Sequence, residues 1–119
     1  MPLIYKICPE TLWREAERIG EFRGAPVDLQ DGFIHFSTAE QLRETAHKHF
    51  HGQSGLLLIA VDEAALGPAL RYEPSRGGAL FPHLYGPMTL APVRRVEPLA
   101  LGPEGEVRLP DLTTVSDGP

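Results

Sequence analysis

Three side chains in two short segments could bind a polar ligand or transfer a proton: His35, His83 and Tyr85. His35 ends an apolar stretch directly before a predicted helix, where a side chain can lie beside helix N–H groups that bind anions. His83 and Tyr85 belong to residues 81–87, whose prolines, glycine and polar aromatic residues are typical of rigid binding loops. We therefore expect a pocket around these three residues.

Each of these segments also has a purely structural interpretation. His35 could be a buried histidine that is hydrogen-bonded to the backbone. Residues 81–87 could be a proline-rich edge segment that merely exposes His83 and Tyr85. From the residues alone, both the functional and the structural interpretation of each segment stay open.

Other reactive side chains give weaker signals. His47 and His51 are one helical turn apart, a spacing that metal ligands use, but two ligands are too few and no neighbouring cysteine or carboxylate completes a set. We therefore predict no metal site. Cys8 is the single cysteine and cannot form an internal disulfide; we expect a buried, unreactive thiol.

Size and charge limit the classes of function. A chain of 119 residues can bury one core, so we expect one domain. Its net charge is −5 and its 11 Lys and Arg residues are scattered, which argues against a nucleic-acid partner. The longest apolar run, residues 56–61, is too short for a membrane span, and the N-terminus lacks the pattern of a signal peptide. These features predict a cytoplasmic protein that binds a small molecule and has no membrane contact.

The first half of the chain predicts two helices and two strands. Residues 3–7 are β-prone, residues 9–19 form an amphipathic helix that ends at Gly20, residues 24–31 are a loop, and residues 32–36 are a strand. Ser37 and Glu40 have the pattern of a capping box. The second amphipathic helix follows and ends near Gly52.

The second half predicts strands and turns. Residues 56–61 form a continuous apolar run, which is typical of a central strand buried on both faces. Further strands are expected at 69–73 and 93–101, where Pro98 indicates an edge or an interruption. We expect a mobile loop at 75–78 and an extended segment at 80–85 that Pro82 keeps out of the sheet interior. The prediction is a single α+β domain over residues 1–101 and a loosely ordered tail over 102–119.

Three motifs resemble those of one bacterial family. Residues 4–7 (IYKI), 31–38 (DGFIHFST) and 81–87 (FPHLYGP) are similar, in this order, to motifs of the domain-of-unknown-function 952 family, over about residues 3–100. The resemblance implies a compact α+β domain of the ADP-ribosyltransferase type. Such a domain has a split, strongly bent, mostly antiparallel sheet and two main helices, and in active relatives its cleft holds NAD.

A more distant resemblance suggests roles for individual residues. Residues 33–37 are similar to the His-x-His-hydrophobic-Ser strand of tRNA 2′-phosphotransferases, in which His35 matches the second histidine and Phe33 replaces the first. Lys6 occupies the position where those enzymes have the first histidine of their site. No glutamate lies within residues 81–85 to stabilise a ribosyl cation, but Glu73 in the preceding strand could serve.

The resemblance therefore implies NAD-dependent ADP-ribosyl transfer, or hydrolysis of an NAD derivative, in a cleft lined by histidine and tyrosine. The alternative is a noncatalytic module that binds a small molecule or a partner in the same cleft. The expected catalytic residues are His35, Glu73 and His83, and the expected contacts to NAD are Lys6, His35, Ser37 and Tyr85.

Overall fold

A strand that contains the apolar run of residues 56–61 lies at the centre of the main sheet. The structure is a computed structural model, and it describes residues 2–75 and 78–112. In chain order the elements are β1 (Leu3–Pro9), α1 (Glu10–Ile19), β2 (Glu21–Phe22), α2 (Pro26–Asp31), β3 (Ile34–His35), α3 (Ala39–Phe50), β4 (Leu56–Asp62), a 3-10 segment (Glu63–Ala69), β5 (Leu70–Pro74), β6 (Leu80–Leu84), β7 (Met88–Thr89), β8 (Val93–Leu101) and β9 (Val107–Arg108).

The predicted central strand is confirmed. All seven residues of β4 are buried, and β1 and β8 pair with it antiparallel on either side, in a sheet of order β1-β4-β8-β9. Alternate side chains of β4 enter two apolar clusters: Leu57 and Ile59 pack in the cluster that contains Trp13 of α1, whereas Leu58 packs in the cluster that contains Leu42 of α3. Each of the two helices therefore covers its own side of β4.

Both main helices are confirmed, with small corrections at their starts. Pro9 was expected in the first turn of α1, but it is the last residue of β1 and has an extended ψ of 141°. The capping box of α3 is formed by Thr38 and Gln41, not by Ser37 and Glu40. The reason is that Ser37 N and O both pair with Tyr5 of β1 at 2.8 Å, which keeps Ser37 extended.

A second, three-stranded antiparallel sheet has the order β3-β6-β5. The prediction that Pro82 keeps its segment out of a sheet interior is wrong, because β6 is the middle strand and Pro82 is fully buried. Phe36 N donates to the Pro82 carbonyl at 3.0 Å, and proline has no N–H to complete the reciprocal bond of an antiparallel pair. β3 ends at His35, just before that position, so proline costs this ladder a single bond.

The expected loop over 24–31 contains a short helix, α2. Pro26 begins this helix, where a missing N–H costs nothing, and the Asp28 carboxylate accepts the Ala25 N–H at 2.7 Å. Gly32 ends it in the left-handed conformation, with φ of 88°. α2 therefore places Asp28 and Asp31 just before β3.

The remaining elements complete an α+β domain with few helices and curled antiparallel sheets. β2 pairs with β7, and β8 pairs with β9 at Ala100 and Leu101. Among the described residues, the rest of β8, including Pro98, has no second neighbouring strand, in agreement with the predicted edge. The predicted tail from residue 102 holds the paired strand β9, and its residues 113–119 lie outside the described part. Residues 76 and 77 of the predicted mobile loop also lie outside it.

Within the described residues, none of the helices combines the length and apolarity required to cross a bilayer.

Replacing Gly24 by alanine should destabilise the protein more than the same change at Gly20. Both glycines have positive φ (119° and 89°), which costs about 1–2 kcal/mol for an alanine. At Gly24 a new Cβ would lie 2.7 Å from the Cβ of Asp28, whereas at Gly20 it would meet open space. Urea unfolding should show about 1–3 kcal/mol of additional loss for Gly24→Ala. Equal losses for the two variants would contradict this account of the contact with Asp28.

Candidate functional site

One face of the three-stranded sheet carries most of the predicted site residues. His83 lies directly opposite His35 of β3 on one side and Arg71 of β5 on the other, and Glu73 lies opposite Phe81. Because directly opposed residues and residues two apart in a strand project from the same face, all of these side chains share one face. The sheet register therefore brings His35, His83 and Glu73 together.

Four aromatic rings meet on this face. The Phe33 ring stacks on the His83 ring, with centroids 4.1 Å apart and an interplanar angle of 25°. It also lies 4.6 Å from the ring of His35 and 5.2 Å from that of Tyr85. The His35 and His83 rings are 5.5 Å apart and edge-on. We call Phe33, His35, His83 and Tyr85 the aromatic cluster.

The Glu73 carboxylate joins two members of the aromatic cluster. Its Oε1 accepts hydrogen bonds from His83 Nδ1 at 2.8 Å and from the Tyr85 hydroxyl at 2.7 Å. These two bonds lower the pKa of Glu73, and the bond to Glu73 raises the pKa of Tyr85. The guanidinium of Arg71 lies 5.4 Å from the centre of the Tyr85 ring. Glu73 is thus an ionised carboxylate that fixes the orientation of both polar rings.

Asp28 is the centre of a second, buried polar network. Its carboxylate oxygens accept from Lys6 Nζ at 3.0 Å, from His35 Nδ1 at 2.7 Å, and from the backbone N–H groups of Ala25 and His35 at 2.7 and 3.1 Å. Burial alone would raise the pKa of Asp28. The hydrogen bond from His35 and the charge of Lys6, together with the two backbone donors, lower the pKa overall.

Three predicted ligand contacts are occupied within the protein. The buried Lys6 Nζ binds Asp28 and donates to the His35 carbonyl at 3.0 Å. The Ser37 hydroxyl bonds the Thr45 hydroxyl of α3 at 2.8 Å. Both ring nitrogens of His35 meet carboxylates, because Nε2 lies 3.0 Å from Asp31 Oδ2. Of the predicted site residues, Glu73, His83 and Tyr85 have polar atoms on the sheet face that carries the aromatic cluster. Lys6 and Ser37 are not part of that cluster.

The comparisons with known proteins give this chain a family. A family model described as "Protein of unknown function (DUF952)" matches residues 7–96, about three quarters of the chain. The chain belongs to this family. The predicted family membership is confirmed, and the more distant similarity to ADP-ribosyltransferases and tRNA 2′-phosphotransferases stays a prediction.

Solved structures of one protein, CC0527 from Caulobacter crescentus, are similar to this DUF952 domain. Its crystal structure is 49% identical with a TM-score of 0.86, and the match covers 89% of this chain and 93% of that one. Its solution NMR structure is 50% identical with a TM-score of 0.80, covering 89% and 91% of the two chains. A comparison with curated proteins finds no significant match.

Sequence reasoning about this DUF952 domain missed three polar residues of the site: Asp28, Asp31 and Arg71. A weak signal was present for the first two, because Pro26 before two aspartates three residues apart is compatible with a short helix that presents both carboxylates on one side. Arg71 and Glu73 alternate on one strand, which places them on one face. Neither pattern identifies the histidine that each residue faces.

A cavity of about 300 Å³ borders the aromatic cluster of the DUF952 domain. Its lining includes Asp28, Phe33 and Pro87. A larger cavity of about 920 Å³ lies along α3 and residues 106–112. None of the predicted site residues lines either cavity. We assign the site to the smaller cavity, because its lining includes Asp28, which bonds His35, and Phe33, which stacks on His83.

His47 of α3, His51 at the end of this helix and the single cysteine lie outside the aromatic cluster. Within residues 2–75 and 78–112, no three His, Cys, Asp or Glu side chains are placed to hold a metal ion. The rings of His47 and His51 meet edge-on, with centroids 5.7 Å apart. Burial raises the pKa of the Cys8 thiol to about 11, so it is protonated at neutral pH, as expected for a structural cysteine.

Replacing Asp28 by asparagine should destabilise the protein strongly. The change leaves the buried Lys6 ammonium without its counter-charge, which costs about 3–5 kcal/mol in comparable buried pairs. Asp31→Asn is the matched control, because Asp31 also lies close to His35, 3.0 Å from its Nε2, but is 41% exposed, so its loss should cost less than about 1 kcal/mol. Urea unfolding at pH 7 measures both; similar losses would contradict the central role of Asp28.

The same variant should change the pH dependence of stability. The pKa of Asp28 in the folded protein lies below its ordinary value of 3.8, so its contribution to stability is present above that pH and is lost as the pH falls below it. The difference in unfolding free energy between wild type and Asp28→Asn should therefore shrink between about pH 5 and about pH 2. A difference that stays constant over this range would be the contrary result.

Proposed function

We propose that this DUF952 domain binds NAD or an NAD-derived ADP-ribosyl compound at the aromatic cluster. It would cleave the bond between the ribose and its leaving group, which is nicotinamide in NAD, and would transfer the ADP-ribosyl group or hydrolyse the compound. The observation that carries the proposal is the position of Glu73. Its carboxylate lies on the same sheet face as both histidines, and it is ionised and held by His83 and Tyr85.

Glu73 has the chemistry that this cleavage needs. Breaking the bond between ribose and nicotinamide leaves positive charge on the sugar, as in glycoside hydrolysis. A fixed carboxylate stabilises such charge without having to reorganise during the reaction. Oε1 of Glu73 is occupied by two donors, and no described residue hydrogen-bonds Oε2. Oε2 is therefore the oxygen that would face the developing cation.

The aromatic cluster has the chemistry to bind the other groups of the ligand. Nicotinamide in NAD is a flat cation, and the rings of Phe33 and Tyr85 offer faces that attract such groups. Arg71 lies against Tyr85 and can bind a diphosphate through its guanidinium. His83 would orient ribose oxygens, and His35, held by Asp28 and Asp31, would border the ligand. The cavity of about 300 Å³ suits one ring and its sugar rather than a whole dinucleotide.

A titration followed by a turnover assay tests this proposal. Labelled full-length protein is titrated with NAD, ADP-ribose and nicotinamide, and NMR shifts are read at His35, His83 and Tyr85. We expect saturable shifts that converge on these residues and release of nicotinamide from NAD. Glu73→Gln should still bind NAD but should lose about 10²–10³-fold in kcat, because the stabilising charge is gone.

Glu44→Gln is the control for that variant. Glu44 pairs with Lys48 on the exposed side of α3, so the substitution removes the same charge away from the site. It should leave turnover unchanged. The absence of any shift with millimolar NAD and ADP-ribose would refute the proposal.

The packing of Phe33 supports a second candidate, a noncatalytic binding module. Phe33 already stacks on the His83 ring, so the protein itself covers one face of this histidine. A planar ligand could then bind between Phe33, Tyr85 and the adjoining cavity with no reaction at His83. Binding that saturates with no nicotinamide release would favour this module over the enzyme.

A further inference from the structure

The two histidines of the aromatic cluster differ in their free hydrogen-bonding capacity. In His35, Nδ1 bonds Asp28 and Nε2 lies 3.0 Å from a carboxylate oxygen of Asp31. His83 has only Nδ1 engaged, by Glu73 at 2.8 Å. Its side chain is 5% exposed, yet no hydrogen bond joins Nε2 to any residue of the described ranges. His83 Nε2 is thus a buried polar atom without a protein partner.

Such an atom calls for an explanation, because buried polar groups almost always have a hydrogen-bonding partner. An ionised carboxylate only accepts hydrogen bonds, so the contact with Glu73 requires the proton on Nδ1. In the neutral imidazole, Nε2 then carries a lone pair. The group that completes the site must donate a hydrogen bond, as a hydroxyl or a water molecule does.

We propose that His83 Nε2 is the proton acceptor for the attacking hydroxyl, and that Oε1 of Glu73 positions His83 by fixing its tautomer. The proposal rests on the proposed function for the identity of the reaction. The stacked Phe33 ring and the Nδ1 bond together determine the plane and the rotation of the imidazole. Orientation by a carboxylate is the way in which histidine bases are held in other enzymes.

The chemical step balances with water or an acceptor alcohol as the second reactant. As the oxygen of that hydroxyl forms a bond to the ribose C1′ carbon, the bond between C1′ and the nicotinamide nitrogen breaks. The electron pair of this bond neutralises the pyridinium, so nicotinamide leaves uncharged. The proton of the attacking hydroxyl moves to His83 Nε2 and then to solvent. Nothing is oxidised or reduced.

The tautomer of His83 can be measured without any assay of turnover. Long-range ¹H–¹⁵N correlation spectra of full-length protein labelled at histidine should show His83 Nε2 unprotonated and Nδ1 protonated. Glu73→Ala should produce a mixture of tautomers, because the group that selects one of them is removed. ADP-ribose, which carries a C1′ hydroxyl, should shift the Nε2 resonance of His83.

The role of His83 as proton acceptor is tested by a substitution that keeps a donor at the position of Nδ1 and removes Nε2. In His83→Asn the side-chain amide can still donate to Glu73, but the atom equivalent to Nε2 is gone. We expect kcat for NAD cleavage to fall by about 10²–10⁴-fold while KM changes less than about threefold. His47→Asn, on α3 outside the site, is the control and should leave both constants unchanged.

The outcomes separate this inference from the proposed function. A proton on Nε2 in the free protein, or wild-type kcat in His83→Asn, would overturn the inference even if the enzyme cleaves NAD. If wild type does not cleave NAD, the proposed reaction fails and the catalytic role of His83 fails with it, even if ADP-ribose still shifts the Nε2 resonance. If ADP-ribose leaves Nε2 unshifted, the inference is overturned.

Discussion

The buried carboxylate of Asp28 is the constraint on which the arrangement of the site depends. It binds Lys6 of β1, the N–H that precedes α2, and both the backbone and the ring of His35 in β3, so one side chain joins three elements. A buried charge is tolerated only when its partners are complete. His35, a residue of the second sheet, is therefore tied to β1 of the main sheet by a buried ionic network in addition to the apolar packing of its neighbours Ile34 and Phe36.

The parts of the fold that could be predicted from sequence are those decided by local patterns. The continuous apolar run of β4 and the helical periodicity of α1 and α3 identify elements whose burial is their main source of stability. α2 was missed because six residues are too few to show a period. The position of Pro82 in the sheet was predicted wrongly because proline in a strand lacks the N–H that a ladder needs. Here β3 ends at His35, so the missing N–H removes a single hydrogen bond, and the sequence does not show where β3 ends.

The candidate site could be predicted only in part, for a related reason. Alternation along residues 80–85 and the family resemblance brought His35, His83 and Tyr85 into one hypothesis, and the register of β3, β5 and β6 places them and Glu73 on one face. Lys6 faces the core because it bonds partners that lie 22 or more residues away in the sequence, and Ser37 does so because it bonds Thr45 of a neighbouring helix. The free ring nitrogen of His83 likewise depends on Glu73 of another strand. No local pattern contains that information.

The proline in the middle of β6 also determines where the domain divides. Residues 34–37 leave one sheet and enter the other within four positions: Ile34 and His35 pair with β6, Phe36 makes a single bond to Pro82, and Ser37 pairs with Tyr5. An ordinary amide at position 82 would offer a second bond to Phe36 and favour continued pairing along β6. One imino acid thus marks the point at which the chain stops pairing with the second sheet and passes to the first.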